Sequence, residues 1–282
     1  MCGIFRCFFI RFLTLLITTF GKSIKVVNLY ANENDMKRFF VFLLTVFAFA
    51  VSAFAQSDTT RVLVIGNSFS YYNDSYDMLA RIAGTNGHVL DVVHSCQPGY
   101  SIGDHLNHQA TTDAILAGGY DFAIVQDQSR TPANYAKDPK GNAIARMHFI
   151  TLTNRIFGWS PYAKIVVENT WSYPADNWGG FGSEQEFNYF LENGTRLYSE
   201  VVLGKVSPVG QAFSAVRKAR RDISLLDEDQ THPSAAGSYL KSCVNYLTIF
   251  GGKFEMFTDD CGLDPMVAKY LRTVATNVVN GK

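Results

Sequence analysis

The apolar run Val62-Leu63-Val64-Ile65 constrains this chain more than any other feature. It is continuous rather than alternating, and mostly β-branched, so a strand made from it must be buried on both faces. A parallel sheet covered by helices on each side offers that environment. Similar runs recur at Phe122–Gln126 (FAIVQ) and Lys164–Asn169 (KIVVEN). His88–His94 and Lys205–Gly210 read as two further strands, the latter interrupted by Pro208, which suits a sheet edge. Segments of helical length separate them, at about Asp74–Gly87, Gly103–Leu116, Ala143–Phe157, Glu184–Glu200 and Gln211–Arg221. Pro233–Phe250 and Pro265–Val278 follow. Asp74 is the expected N-cap of the first helix, and Thr131–Gly141 is expected as a polar connection. Strands alternating with helices predict right-handed βαβ units. The expected fold is a single α/β domain, a three-layer α/β/α sandwich around a parallel sheet of about five strands.

Residues 1–55 stand outside that pattern. Met36-Lys37-Arg38 precedes the apolar run Phe39–Ser52 and then Ala53-Phe54-Ala55. A basic start, an apolar run and a small-x-small ending predict a secretory signal peptide at 36–55, cleaved before Gln56. A single membrane anchor is the competing reading. No cysteine follows the run, which argues against a lipid anchor. The apolar segment Cys7–Phe20 is broken by Arg11, costly at a membrane centre, so residues 1–35 are expected to be an extension upstream of the true start. This leaves 56–282 as one exported domain, secreted or periplasmic, with no stable membrane insertion. The whole chain has zero formal net charge. Basic residues outnumber acidic ones within 1–55, so the remainder is acidic and gives no basis for a nucleic-acid partner. Arg217, Lys218, Arg220 and Arg221 read as a solvated helix face. Export permits a disulfide, and Cys243–Cys261 is the expected pair, leaving Cys96 free. Their spacing does not suggest zinc.

The strand ends carry the chemistry. The first run stops at Gly66-Asn67-Ser68. The second leads to Gln97-Pro98-Gly99-Tyr100, with proline and glycine in the order of a type II turn. The third ends in Gln126-Asp127-Gln128-Ser129. In a parallel sheet these three points share one edge, where open α/β folds bind ligands. A remote segment reads Asp229-Gln230-Thr231-His232-Pro233-Ser234. Pro233 fits the first turn of the helix that follows, and it pushes His232 out of the α region. Asp229 can then fold back onto one imidazole nitrogen, leaving the other to take a proton from a serine. Such a relay activates a nucleophile. A lone serine after a strand is ordinarily a turn residue, and a lone DxxHP a helix cap. Their occurrence together, at opposite ends of one α/β domain, points to nucleophilic catalysis. Asp104, His105 and His108 lack further ligands, so no metal site is expected.

With GNSFS and DQTHPSAAGSYL in place, the chain resembles an SGNH, or GDSL-type, hydrolase, over about residues 61–250. The resemblance implies the flavodoxin-like fold of that superfamily and a serine ester hydrolase needing no cofactor. It assigns Ser68 as nucleophile, His232 as base and Asp229 as its acidic partner. It also assigns an oxyanion hole made by the backbone of Ser68 and Gly99 and a side chain from the third block. There the family commonly reads GxND and this chain reads QDQS. Gln128 falls at the asparagine's position, with Gln126 as a competing candidate. Asn67 replaces the usual aspartate and is a candidate substrate-binding or positioning residue. Exported relatives often remove acetyl groups from carbohydrate. Trp171, Trp178 and Phe181 offer stacking surfaces for a sugar or else loop packing. A lipase or lysophospholipase, and a catalytically silent glycan-binding module, are the competing readings.

Overall fold

Parallel pairing of the apolar runs builds the centre of the molecule. The structure, a computed structural model, describes residues 59–173 and 178–281. The expected signal peptide and upstream extension lie outside them. The strands are β1 (Thr60–Gly66), β2 (Leu90–Cys96), β3 (Phe122–Val125), β4 (Lys164–Glu168) and β5 (Lys205–Ser207). They form one parallel sheet in the order β2-β1-β3-β4-β5. Val64 pairs with His94 on one side and Ile124 on the other.

Alternation along the strands divides the core in two. Val62, Val64, Ile124 and Val166 face one layer of helices, α2 (Ser75–Thr85), α8 (Val209–Ala219), α9 (Ala235–Phe250) and α10 (Pro265–Val279). Leu63, Ile65, Ala123, Val125, Ile165 and Val167 face the other. That layer contains α3 (Ile102–His105), α4 (Gln109–Ala117), α5 (Thr131–Lys137), α6 (Ala143–Trp159) and α7 (Glu184–Val201). A one-turn helix, α1 (Ser68–Tyr71), follows β1 directly. No helix among the described residues is long and apolar enough to cross a membrane.

The structure departs from the sequence reading at several points. The segment Gly103–Leu116 is two helices, because His105 is drawn into the interior and the chain turns out again through Leu106–His108. The polar connection after β3 contains α5. Asp74 stands at the N-cap position of α2 but makes no side-chain cap. Its backbone is left-handed (φ 52°, ψ 43°), not the extended form from which a cap reaches back. Pro233 lies outside α9, bridged to Leu226, and Ser234 caps the helix by accepting from the Gly237 N–H. Cys243 and Cys261 are not bonded to each other. Cys243 is enclosed in the core on α9, and the Cys261 thiol turns to the Met78 carbonyl.

Candidate active site

β1 delivers its last residue into a crowded corner. A Cβ on Gly66 would lie 2.3 Å from Ser70 Oγ and 2.7 Å from Gln126 Oε1. The glycine is therefore required by close approach rather than by turn geometry. Asn67 is extended and caps α1, its Oδ1 accepting from the Phe69 N–H at 3.1 Å. Its Nδ2 donates to the Tyr100 carbonyl at 3.1 Å. Asn67 is buried with both ends of its amide engaged in holding the turn, which suits a positioning residue. Gln126 Oε1 accepts from Asn67 N (2.9 Å) and Ser70 Oγ (3.0 Å). The Ser70 carbonyl accepts from Lys241 Nζ at 3.0 Å and from Ser75 Oγ. Lys241 and Glu168 are both buried, 3.9 Å apart, and Asn245 Nδ2 donates to Glu168 Oε2 at 2.7 Å. Ser68, the first residue of α1, sits on this braced turn.

The histidine loop is clasped at its base. Asp227 N donates to the His232 carbonyl (2.9 Å) and Ser234 N to the Leu225 carbonyl (3.0 Å). Inside the loop, Asp229 Oδ1 accepts from the backbone N–H groups of Thr231 and His232, each at 2.9 Å. Asp229 Oδ2 bonds His232 Nδ1. An ionised carboxylate only accepts, so the ring proton belongs on Nδ1 and Nε2 is left as an acceptor. Nε2 lies 2.8 Å from Ser68 Oγ, across 164 residues of sequence. Burial works to raise the Asp229 pKa. The bonds from His232 and Thr231 outweigh it and hold the carboxyl below its ordinary range. The Tyr72 ring stacks on the imidazole at 4.1 Å and 8°, and Phe69 meets it edge-on at 5.7 Å.

Gly99 adopts φ 70° at the turn after β2, and Tyr100 N closes that turn on the Gln97 carbonyl at 3.2 Å. Gln97 N donates to the Gly66 carbonyl (3.1 Å) and Asn67 Nδ2 to the Tyr100 carbonyl, so the turn is stitched to the Ser68 turn on both sides of Gly99. Among the described residues, neither the Ser68 nor the Gly99 backbone N–H has a protein acceptor. In the third block, Gln126 is engaged at both ends of its amide: its Nε2 donates to the Asp127 carbonyl. Gln128 Oε1 accepts from Arg130 N at 3.0 Å, while its Nε2 has only a long 3.4 Å contact with Ser129 Oγ. Gln128 is half-buried whereas Gln126 is enclosed, so the Gln128 amide is the more accessible donor of the two. Asp127 Oδ1 accepts from Ile102 N (2.9 Å) and Gln128 N (2.8 Å), and Tyr198 donates to Oδ2 at 3.2 Å. Burial pushes the Asp127 pKa up to about 6 despite those donors.

Two expected contacts are corrected. Trp171 is fully buried, stacked between Phe69 (4.5 Å) and Phe213 (4.4 Å), with Nε1 donating to the Thr231 carbonyl at 3.1 Å. It has no free face for a sugar and instead supports the histidine loop. Trp178 donates to the Tyr173 carbonyl and packs against the cluster of Phe181, Phe187 and Leu191, which favours loop packing. His105 is a structural histidine. Its Nε2 donates to the Gly66 carbonyl (2.9 Å), and Nδ1 meets Thr111 Oγ1 at 2.8 Å. No group of three or more metal-ligating side chains occurs among the described residues. Of the basic cluster, Arg217 pairs with Glu184 (3.0 Å) and Arg220 pairs with Asp222. Sequence reasoning missed the Gln126 brace, the Tyr72 stack and Lys241. Lys241 leaves one trace, a lone charge inside the otherwise uncharged run of α9.

No family model matches the sequence, and no curated protein matches it. Solved structures do. A DUF4886 family protein from Bacteroides uniformis superposes with a TM-score of 0.63 at 17% identity, covering 79% of this chain and 95% of that one. A protein from Slackia heliotrinireducens, described as a candidate SGNH hydrolase, gives 0.55 at 23% identity, covering 68% of this chain and 100% of that one. A catalytic mutant of an acetylxylan esterase from Geobacillus stearothermophilus gives 0.51 at 13% identity, covering 71% and 98%.

Proposed function

Starting from the SGNH-type hydrolase fold that this chain has, we propose that it is a serine esterase. The observation that carries the reading is the hydrogen-bonded series Asp229–His232–Ser68. Ser68 Oγ attacks the ester carbonyl carbon as its proton passes to His232 Nε2. Asp229 holds the ring in the required tautomer and stabilises the imidazolium that forms. The negative charge on the carbonyl oxygen falls to the N–H groups of Ser68 and Gly99 and to Gln128 Nε2. Loss of one such donor typically costs roughly a hundredfold or more in rate. The C–O bond to the alcohol then breaks and the alcohol leaves with the proton from His232. Water, deprotonated by the same nitrogen, cleaves the acyl-enzyme and releases the acid.

Acetyl groups on carbohydrate are the proposed substrate, supported by the likeness to an acetylxylan esterase and by the aromatic and carboxylate side chains near Ser68. Export through the segment 36–55 belongs to the same reading. Purified protein is expected to hydrolyse p-nitrophenyl acetate and to be inactivated by a serine-directed phosphonate. Ser68→Ala is expected to lower kcat by at least ~10⁴-fold. A wild-type protein inert to acetyl esters and to the phosphonate would leave the silent glycan-binding module as the better account.

A further inference from the structure

A cleft of about 570 Å³ opens beside the Ser68 turn, between the start of α2 and the end of β2. Its lining includes Tyr71, Asp74, Tyr76, Asp77, His94 and Pro98. Two of these tie it to the proposed nucleophile. Tyr71 is the last residue of α1, one turn from Ser68, and Pro98 precedes Gly99. Tyr71 also lies 5.8 Å from the ring of Tyr72, which stacks on His232.

The chemistry of the walls is specific. Tyr76 and His94 stack at 4.3 Å and 11°, making one broad aromatic wall. The Tyr76 hydroxyl is buried beside the Cys96 thiol, which also lines the cleft. The same lining carries two exposed carboxylates, Asp74 and Asp77. The Asp74 side chain makes no hydrogen bond with any described residue, and its backbone is held left-handed directly after a left-handed Asn73. That strain is fixed from outside, since Asn73 Nδ2 donates to the Pro233 carbonyl (2.7 Å) and Ser238 Oγ (3.0 Å). Strained non-glycine residues held in this way cluster at ligand sites. Asp77 has only a 3.8 Å approach from Arg81, whose guanidinium is taken by two 3.0 Å bonds to Asp259. An acyl chain laid here would strip water from both carboxylates without replacing it. A sugar ring fits both features. Its C–H face meets the negative face of an aromatic ring, and its hydroxyls donate to carboxylate oxygens in charge-assisted bonds. A carboxylated or phosphorylated sugar would be repelled.

We infer that this cleft holds the alcohol part of the substrate, a neutral or amino sugar, and that Asp74 and Asp77 exclude acidic ones. The position of the ester rests on the esterase reading. The test compares p-nitrophenyl acetate, acetylated xylo-oligosaccharide and acetylated polygalacturonate. Wild type favours the neutral glycan over the acidic one. Asp74→Asn/Asp77→Asn, mild because asparagine tolerates the left-handed region, reduces that preference by about tenfold. Tyr71→Ala lowers kcat/KM on the neutral glycan relative to p-nitrophenyl acetate by about tenfold, through KM. Circular dichroism verifies folding of each variant. Ratios within about twofold of wild type overturn the cleft and leave the esterase standing. No turnover of any ester overturns the esterase, and the cleft is then judged by xylo-oligosaccharide titration of the wild-type protein. Binding weakened by Tyr71→Ala supports it, and no binding overturns it.

Discussion

Gln126 shows how much of the site depends on one buried amide. Its Oε1 receives both the Asn67 N–H and the Ser70 hydroxyl, one on each side of Ser68. Gln126→Leu leaves two buried donors without an acceptor, at about 1–3 kcal/mol each, and releases the nucleophile turn. The expected result is a fall in kcat of at least ~10-fold with KM little changed, and partial rescue by Gln126→Glu, which still accepts. Asp127 makes a different prediction. Its folded pKa of about 6 is raised above the ordinary value of 3.8 by burial. The folded protein therefore binds a proton more tightly than the unfolded chain. Stability from this group is fully present below about pH 4 and is lost as pH rises through about 6, to the extent of roughly 2–3 kcal/mol. Asp127→Asn keeps an acceptor for the Ile102 and Gln128 N–H groups and is expected to flatten urea-derived stability across that window relative to wild type. The difference between these residues also marks what sequence can carry. Asp229 and His232 are three apart, so their pairing is legible as a local pattern. Gln126 reaches a partner 59 residues away, and nothing about FAIVQ distinguishes a brace from a strand's polar end. Trp171 misled for the same reason: an aromatic residue in a glycine-rich loop reads as exposed until Phe69 and Phe213 are seen to enclose it.

At the scale of elements, α9 does more than cover the sheet. Lys241 reaches from it to the Ser70 carbonyl, Asn245 to Glu168 and Ser242 to the Ser75 carbonyl at 2.9 Å. The helix after the proposed base is thereby bonded to the turn carrying the proposed nucleophile. Lys241→Met strands the Glu168 carboxylate, whose Oε1 already lacks a partner, and should cost about 3–5 kcal/mol in urea denaturation. The double variant Lys241→Met/Glu168→Gln should recover most of that loss, a coupling that two independent sites would not show. Continuous apolar runs made β1, β3 and β4 legible, and β2 was displaced by only two residues because HVLDVVH alternates on into Ser95 and Cys96. Short elements were not legible. α5 exists because its backbone rests against Gly194 of α7, where a Cβ would lie 1.9 Å from the Pro132 carbonyl oxygen. That contact is tertiary, and the local trace of α5 is Pro132 in its first turn, too slight a signal for one short helix.

For the whole molecule, the strand order matters most. From β1 the chain goes to β2 on one side and to β3 on the other, and the carboxyl ends of β1 and β3 meet at the resulting crevice. Ser68 and the Gln126–Ser129 block occupy that point because of connectivity, which the alternation of strands and helices implies but does not order. No disulfide reinforces the fold among the described residues, Cys96, Cys243 and Cys261 all being free. Its thermal midpoint is expected to stay within about 1 °C with and without reductant, whereas a buried disulfide would be worth about 2–4 kcal/mol. Trp171 adds an optical consequence. The chain has three tryptophans: Trp159 is 56% exposed, Trp178 is partly buried and Trp171 is fully enclosed. Trp171 touches Phe69, the neighbour of Ser68, and donates to Thr231, the neighbour of His232. Trp171 is therefore expected to emit at shorter wavelength than Trp159 and to report on both halves of the site. The proposed acylation of Ser68 is expected to change its emission, a signal a stopped-flow fluorimeter reads without a label.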